Sequence, residues 1–135
     1  MPNRPVAIIT GGSRGAGEAT AKLLSSKGWN VTITCTSTII DAHQVVKECE
    51  KLGAEALAIK ADVSDDAACR KTIQETVSKW GRIDSLVNNA GTTKFVFNHA
   101  DLDGLDAEDF LHIYRVNVVG PFQMVRACKE YLLKS

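Results

Sequence analysis

Short apolar runs alternate with segments of helical apolar spacing along the chain. The run Val6–Ile9 is unbroken and precedes a glycine-rich stretch, which is typical of a strand buried on both faces of a parallel sheet. Residues 31–35 are largely β-branched and alternate in polarity, so they predict a second strand. The pattern predicts a third strand at about residues 56–61 and a fourth at residues 83–87.

Helical segments separate these predicted strands. Residues 15–27 are rich in helix formers and end before Gly28, which can take the left-handed conformation that closes a helix. A second helix is predicted from one apolar face, formed by Val45, Cys49 and Leu52 at spacings of 4 and 3 residues.

A third helix is predicted to start at Ser64, an N-cap residue type followed by two aspartates that suit the helix dipole. Its apolar positions keep helical spacing as far as Trp80, and Gly81 then ends it. Strands that alternate with helices in this way form a parallel sheet with right-handed crossovers, so the predicted fold class is α/β.

The last part of the chain begins with a long polar connection, residues 92–105, which leads to a predicted N-cap at Asp106. Gly120 and Pro121 interrupt the helical pattern that follows, so this region is either one kinked helix or two consecutive helices. One buried face is predicted from apolar residues at spacings of 4, 3, 3 and 4: Val118, Phe122, Val125, Cys128 and Leu132.

The composition narrows the class of protein. The chain carries 16 Lys plus Arg against 16 Asp plus Glu and is 44% hydrophobic, which argues against intrinsic disorder and against a nucleic-acid partner held by a basic field. Its 135 residues fit one domain with a core, but not two full domains. No apolar run approaches the roughly 18 residues of a membrane span and the N-terminus does not resemble a signal peptide, so we expect a cytoplasmic protein with no membrane partner.

The cysteines and histidines predict no metal site. They lack a Cys-x-x-Cys pair and metal-ligand spacing. We expect the cysteines to be reduced and mostly buried, and the histidines to have no catalytic task. These residues are Cys35, Cys49, Cys69, Cys128, His43, His99 and His112.

The glycine-rich stretch Thr10-Gly-Gly-Ser-Arg-Gly-Ala-Gly17 lies between the first predicted strand and its helix. Glycines let the backbone approach a ligand closely, and the helix N-terminus offers unpaired N–H groups and a positive dipole end, so the stretch suits a pyrophosphate. A Walker loop would end in Gly-Lys-Ser/Thr, whereas this one continues Gly17-Glu18-Ala19. Taken alone, the stretch could also be a tight turn that only glycine permits.

Four motifs in order resemble those of the short-chain dehydrogenases/reductases. The glycine stretch matches the family motif T-G-x-x-x-G-x-G at every fixed position, and three further matches follow it. These are Asp62-Val63, Asn88-Asn89-Ala90-Gly91 and Asn117. The resemblance covers the chain from about Val6 to its end and implies a Rossmann-type doubly wound parallel sheet, truncated here after about four βα units.

The resemblance also implies roles for these residues. Asp62 would accept a hydrogen bond from the adenine amino group and Val63 would present its backbone N–H to the ring, although Asp62 could instead only cap the next helix. The run Asn88–Gly91 would lie beside the ribose and nicotinamide, with bracing of neighbouring strands as the alternative for Asn88. Asn117 would kink its helix and hold a water of the catalytic proton relay, unless it only interrupts the helix and finds another partner.

The residues around the glycine stretch favour NADP(H) over NAD(H). The predicted cofactor-binding residues there are Gly11, Gly12, Ser13, Arg14, Gly15 and Gly17. Enzymes that prefer NAD usually place an acidic residue after the second strand, whereas this chain has Cys35-Thr36-Ser37-Thr38. Arg14, Thr36 and Ser37 can instead bind a 2′-phosphate, unless Arg14 is only a solvated loop residue.

The family's catalytic Tyr-x-x-x-Lys motif does not occur, because Tyr114 and Tyr131 are followed four residues later by Val118 and Ser135. We therefore expect residues 1–135 to be the N-terminal, cofactor-binding part of a single domain whose catalytic serine, tyrosine and lysine lie in a part absent from this chain, and we expect this part alone to be inactive.

The resemblance implies an NADP(H)-dependent oxidoreductase that transfers hydride between nicotinamide and a carbonyl or alcohol substrate, closest to the 3-oxoacyl-[acyl-carrier-protein] reductase branch. The alternative is a non-catalytic nucleotide-binding or interaction module. Family members are commonly homodimers or homotetramers, with the helix around residues 117–132 at one interface. Phe95 and Phe97 are expected to be core residues, with a substrate mouth or a subunit contact as the alternatives.

Overall fold

A computed structural model describes residues 3–37 and 39–135. Four strands form one parallel sheet in the order β3-β2-β1-β4. They are β1 (Val6–Ile9), β2 (Asn30–Cys35), β3 (Ala56–Lys60) and β4 (Ser85–Val87). The predicted strands and fold class are confirmed, although β4 is two residues shorter than predicted.

Helices connect and follow the strands. They are α1 (Gly15–Ser26), α2 (Ile39–Lys51), α3 (Asp66–Trp80), a 3-10 turn (Leu102–Gly104), α4 (Ala107–Tyr114), a π-helical segment (Arg115–Val119) and α5 (Gly120–Lys134). Among the described residues, no helix is long and apolar enough to span a bilayer.

The sheet has a separate apolar core on each face. Ala7 and Ile9 of β1 pack with buried residues of α1 and α2, whereas Ile8 points the other way and packs with α3 and α5. This follows from the alternation of side chains along a strand. A sheet with helices on both faces is doubly wound, as predicted.

Two predicted N-caps have different outcomes. Asp106 caps α4 in a reciprocal capping box with Asp109, as predicted. The cap of α3 is Asp65 rather than Ser64, because the Asp65 carboxylate accepts a hydrogen bond from the Ala67 N–H at 3.0 Å. The Ser64 hydroxyl donates instead to Asp62 at 2.8 Å, so it is engaged outside the helix.

The last helical region is one continuous helical rod, α4 to α5, with the π-helical segment in its middle. Its predicted buried face is confirmed at Cys128 and Leu132, which pack in the core, but is wrong at the other three residues. Val118, Phe122 and Val125 are about half exposed, at 49%, 59% and 48%. A π-helical turn contains an extra residue, so it rotates the faces on either side of it relative to a regular α-helix. The face that packs on the sheet is formed by Val116, Gly120, Gln123, Met124 and Cys128.

The expectation that Phe95 and Phe97 are core residues is wrong. Their exposed fractions are 79% and 98%, and the rings stack on each other with centroids 6.3 Å apart. The residues on either side of Phe95 hold the loop instead, since Lys94 forms an ion pair with Asp109 at 2.8 Å and Val96 packs close to Gly104. The phenylalanines are therefore directed outward.

Candidate cofactor-binding site

A cleft of about 390 Å³ opens at the carboxyl ends of the strands. The chain leaves β1 for a helix on one face of the sheet, α1, and leaves β4 for helices that include α5 on the other face. Open α/β sheets bind ligands at the carboxyl ends of strands whose connections diverge in this way. The cleft is lined by Gly11, Ser13, Arg14, Thr34, Cys35, Thr36, Ser37, Ala61, Asp62, Val63, Asn89, Ala90, Gly91, Thr92, His112 and Val116. Ten of the predicted site residues are therefore brought together.

The glycine loop follows β1 and lies in the middle of the cleft, because β1 lies between β2 and β4 in the sheet. Gly11 and Gly15 have φ angles of +66° and +57°, in the left-handed region that favours glycine. A Cβ on Gly17 would lie 2.3 Å from the Gly11 carbonyl oxygen, and a Cβ on Gly12 would lie 2.6 Å from the Ile33 side chain. Gly12, Gly15 and Gly17 do not line the cleft, so they shape the loop while its other residues face the ligand.

The N-terminus of α1 lies directly behind this loop. Arg14 is its N-cap residue, and its side chain makes no capping hydrogen bond. The first N–H groups of a helix have no intrahelical partner and attract anions. An uncapped helix start beside a glycine loop is suited to a pyrophosphate.

A hydrogen-bond bridge joins the ends of β1 and β4. The Asn89 side-chain Nδ2 donates to the carbonyls of Thr10 and Gly11 at 3.1 and 3.0 Å. In return, the backbone N–H groups of Asn89 and Ala90 donate to the Thr10 hydroxyl at 3.1 and 3.0 Å. Asn89 therefore braces the two strands, a role expected as the alternative for Asn88, while Asn88 is exposed and does not line the cleft.

Asp62 and Val63 form the wall at the end of β3. One carboxylate oxygen of Asp62 accepts hydrogen bonds from the Ser64 N–H and hydroxyl at 2.9 and 2.8 Å, and Asp62 is one of the residues that line the cleft. The alternative that Asp62 caps α3 is not supported, because Asp65 does so. The Asp62 carboxylate is therefore positioned at the cleft by a loop rather than used by a helix.

The backbone carbonyl of Val63 is held by hydrogen bonds from side chains of α3 and α5. Its carbonyl accepts hydrogen bonds from Gln123 Nε2 at 2.8 Å and from the Cys69 thiol at 3.2 Å. Gly120 allows α5 to approach, since a Cβ there would lie 2.5 Å from Val63 Cγ2. Because its carbonyl is fixed in this way, Val63 presents a rigid edge to the cleft.

The end of β2 supplies the remaining wall. Thr36 and Ser37 are exposed, and they line the cleft together with Arg14. Thr38, the last residue of the run considered for cofactor choice, lies outside the described residues. Cys35 is buried, and burial raises the pKa of its thiol, so it stays neutral at physiological pH.

Asn117 lies in the π-helical segment, and its side-chain amide forms two hydrogen bonds with the backbone of Thr92. Its Oδ1 accepts from the Thr92 N–H at 2.8 Å, and its Nδ2 donates to the Thr92 carbonyl at 2.9 Å. Asn117 does not line the cleft, although its Oδ1 lies 3.4 Å from where a Cβ on Gly91 would be. The helix irregularity predicted at this residue is present.

Sequence reasoning missed several cleft residues. Thr34 holds the glycine loop, because its hydroxyl and carbonyl accept from the N–H groups of Gly11 and Gly12 at 3.2 and 3.0 Å. His112 and Val116 reach the cleft from α4 and the π-helical segment, more than 20 residues after the last motif of the strand ends. The only feature of the sequence that links these two residues is their spacing of four, which places them on the same face of a helix. Within the described part of the chain, no group of three or more metal-ligating side chains occurs.

Known proteins resemble this chain along its whole length. A profile of the short chain dehydrogenases matches residues 5–135. The 3-oxoacyl-[acyl-carrier-protein] reductase of Synechocystis is 36% identical over 130 residues, which are 96% of this chain and 51% of that protein. Versicolorin reductase 1 of Aspergillus parasiticus is 34% identical over 94% of this chain and 47% of its own length. The chain thus spans about half the length of the curated relatives it matches.

Solved structures give the same picture. A short chain dehydrogenase from Burkholderia cenocepacia, crystallised in complex with NADP, superposes with a TM-score of 0.85 at 37% identity over 97% of this chain and 51% of its own. A 3-oxoacyl-[acyl-carrier protein] reductase from Brucella melitensis superposes with a TM-score of 0.84 at 32% identity over 98% of this chain and 52% of its own.

Proposed function

The chain belongs to the short chain dehydrogenase family, and we propose that it binds NADP(H) in the cleft and that the whole protein is an NADP(H)-dependent oxidoreductase. The substrate would be a small carbonyl or alcohol compound, with 3-oxoacyl thioesters as the first class to test. Residues 1–135 would be the N-terminal, cofactor-binding part of the domain. The similarity to 3-oxoacyl reductases supports this choice of substrate.

The observation that carries the choice of cofactor is the set of side chains between the glycine loop and the end of β2. Arg14, Thr36 and Ser37 line this part of the cleft together, and they supply one guanidinium and two hydroxyls. A guanidinium binds a phosphate through charge-assisted hydrogen bonds. Asp62 lies at the end of β3, the neighbouring strand, where it suits the adenine amino group rather than a ribose hydroxyl.

The residues of the cleft fit a dinucleotide. Because Gly17 has no Cβ, the start of α1 can lie close to Gly11. The uncapped N-terminus of α1 would then receive the pyrophosphate. Gly91 and Thr92 follow β4, at the edge of the sheet opposite Asp62, and this is where the nicotinamide would be held. When bound, the cofactor supplies or accepts the hydride. Asn117 fixes the backbone of Thr92 at this end, and we assign it the water of the proton relay as part of the proposal.

Isothermal titration of the 135-residue chain with NADPH and NADH tests the cofactor. We expect tighter binding of NADPH, and we expect Arg14→Ala to weaken NADPH binding by about tenfold to a hundredfold, since hydrogen bonds to charged groups contribute about 1.5–3 kcal/mol. NADH binding should change little. Lys129→Ala, an exposed cation on α5, is the matched control. Equal affinities of the wild type for both cofactors would contradict the assignment.

A non-catalytic binding or interaction module is the second candidate. It is favoured by the lack of a Tyr-x-x-x-Lys motif in this chain, since Val118 and Ser135 stand four residues after the two tyrosines. Intact mass of the polypeptide from its natural source, together with turnover of a carbonyl panel, separates the two functions. A mass near 14.6 kDa without turnover identifies a module, whereas a larger, active polypeptide identifies the enzyme. We expect the 135-residue chain alone to give no turnover.

The proposal includes a homodimer or homotetramer. The exposed apolar residues Val118, Phe122 and Val125 lie on one side of the α4–α5 rod and support a contact there. Light scattering after size-exclusion chromatography should detect the oligomer, and Phe122→Asp should dissociate it. The four free, buried cysteines suit a reducing compartment, and we place the protein in the cytoplasm.

A further inference from the structure

His112 is an aromatic side chain in the wall of the cleft to which the proposed function gives no task. It lies on α4, and its side chain is exposed. Within residues 3–37 and 39–135, no hydrogen bond or ion pair engages its imidazole. The ring is therefore available to a ligand in the cleft.

The position of His112 follows from its helical spacing to Val116. Side chains four residues apart lie on the same face of a helix, and both of these line the cleft. Val116 is buried in the same apolar cluster as Val63. His112 thus lies one helical turn before Val116, the residue of the rod that packs in the same cluster as Val63 at the end of β3.

The surfaces around this point suit a purine base. Val63, Ala90 and Val116 offer aliphatic contacts, and Asp62 offers a carboxylate that can accept from an exocyclic amine. A neutral imidazole or an imidazolium can stack on a base, as aromatic side chains do in nucleotide-binding proteins. His112 lines the same cleft one helical turn from Val116, so its ring can reach a base that lies against Val63 and Val116.

We infer that the imidazole of His112 packs on the adenine of the bound dinucleotide and strengthens binding of its adenylate half. This inference rests on the proposed function, because it requires a dinucleotide in the cleft. It assigns to His112 a contact with the base, and it makes the aromatic ring, rather than the charge, the feature that matters.

Isothermal titration with NADPH and with adenosine 2′,5′-bisphosphate, the adenylate half alone, tests the contact. We expect His112→Ala and His112→Gln to weaken both ligands by about the same factor, roughly tenfold, because stacking on a base contributes about 1–3 kcal/mol. His112→Phe should stay within about twofold of the wild type. His99→Ala, which removes an exposed histidine outside the cleft, should have no effect.

The outcomes separate this inference from the proposed function. If the wild type binds neither NADPH nor NADH, the proposed function is wrong and this inference fails with it. If the wild type binds NADPH but His112→Ala and His112→Gln bind both ligands as tightly, only the inference is overturned. It is also overturned if those variants weaken NADPH alone, or if His112→Phe is as weak as His112→Ala.

Discussion

The side-chain amide of Asn117 is paired with the backbone of Thr92 in both directions, at 2.8 Å and 2.9 Å. A side-chain amide has one acceptor and one donor group, so it can copy the pairing that a neighbouring strand would make. The pair connects the π-helical segment to the loop that follows β4, across 25 residues of sequence. It fixes the part of the cleft beside β4 to the rod formed by α4 and α5.

Replacing Asn117 tests this connection. Asn117→Ala removes both hydrogen bonds, and we expect a loss of about 1–2 kcal/mol in the free energy of unfolding, since a typical hydrogen bond contributes about 1 kcal/mol. Urea denaturation measures the stability, and hydrogen exchange of the Thr92 amide should accelerate. Asn88→Ala, at an exposed position outside the cleft, is the control. Unchanged exchange at Thr92 would show that the pair does not hold the loop.

Gly17 is the most restricted position of the glycine loop. A Cβ there would lie 2.3 Å from the Gly11 carbonyl oxygen and 2.6 Å from Asn89 Nδ2, so Gly17→Ala must move α1 away from the loop. We expect a loss of about 1–3 kcal/mol in stability, the usual effect of overpacking, and at least tenfold weaker NADPH binding. Ala19→Ser, at an exposed position of the same helix, should change neither quantity. Wild-type NADPH affinity in Gly17→Ala would argue against the loop as the pyrophosphate site.

Asp84 links β4 to the start of β1. Its Oδ2 accepts from the Val6 N–H at 2.8 Å, and its side chain is only 11% exposed. The Arg82 guanidinium beside Asp84 holds the pKa of this carboxyl below its usual range, and the Val6 bond lowers it further. An acid with a depressed pKa in the folded state stabilises the fold above its ordinary pKa, about 3.9, and this contribution is lost as the pH falls through the folded-state value.

We therefore expect Asp84→Asn to reduce the free energy of unfolding at neutral pH by about 1–2 kcal/mol. The difference from wild type should shrink as the pH falls from about 5 through the depressed pKa of Asp84. Urea denaturation at several pH values measures it. Asp103→Asn, at an exposed position of the 3-10 turn, is the control. A difference that does not depend on pH would mean that the Asp84 charge contributes nothing.

The four cysteines should be unreactive in the native protein. All are buried, and burial raises the pKa of the Cys69 and Cys128 thiols to about 11. Because the thiolate is the nucleophile, we expect little alkylation by iodoacetamide at pH 7.5 until the chain unfolds, and four modifications in denaturant. Mass spectrometry counts them. Rapid modification of the native chain at Cys69 or Cys128 would contradict the buried positions of α3 and α5.

Local sequence features determined the architecture and the glycine loop of the candidate site. A strand buried on both faces needs a continuous apolar run, as in Val6–Ile9, and only glycine fits the φ angles and close approaches at Gly11 and Gly17. The cap at Asp106 was equally visible, because an N-cap bonds residues within the next turn. Fold class and family were within reach for the same reason.

Tertiary packing decided the buried face of the last helices and the choice of the bracing asparagine, because both depend on contacts between residues distant in sequence. The π-helical segment rotates the buried face from Val118 and Phe122 to Val116 and Gln123, and a spacing rule that assumes a regular α-helix cannot detect this. The choice of Asn89 rather than Asn88 as the brace depends on which of two adjacent side chains faces Thr10, nearly 80 residues earlier. The sequence by itself determined that a site lies at the strand ends, because the motifs that indicate it are local. Which residues form that site was decided only by the tertiary structure, because contacts between residues distant in sequence position them.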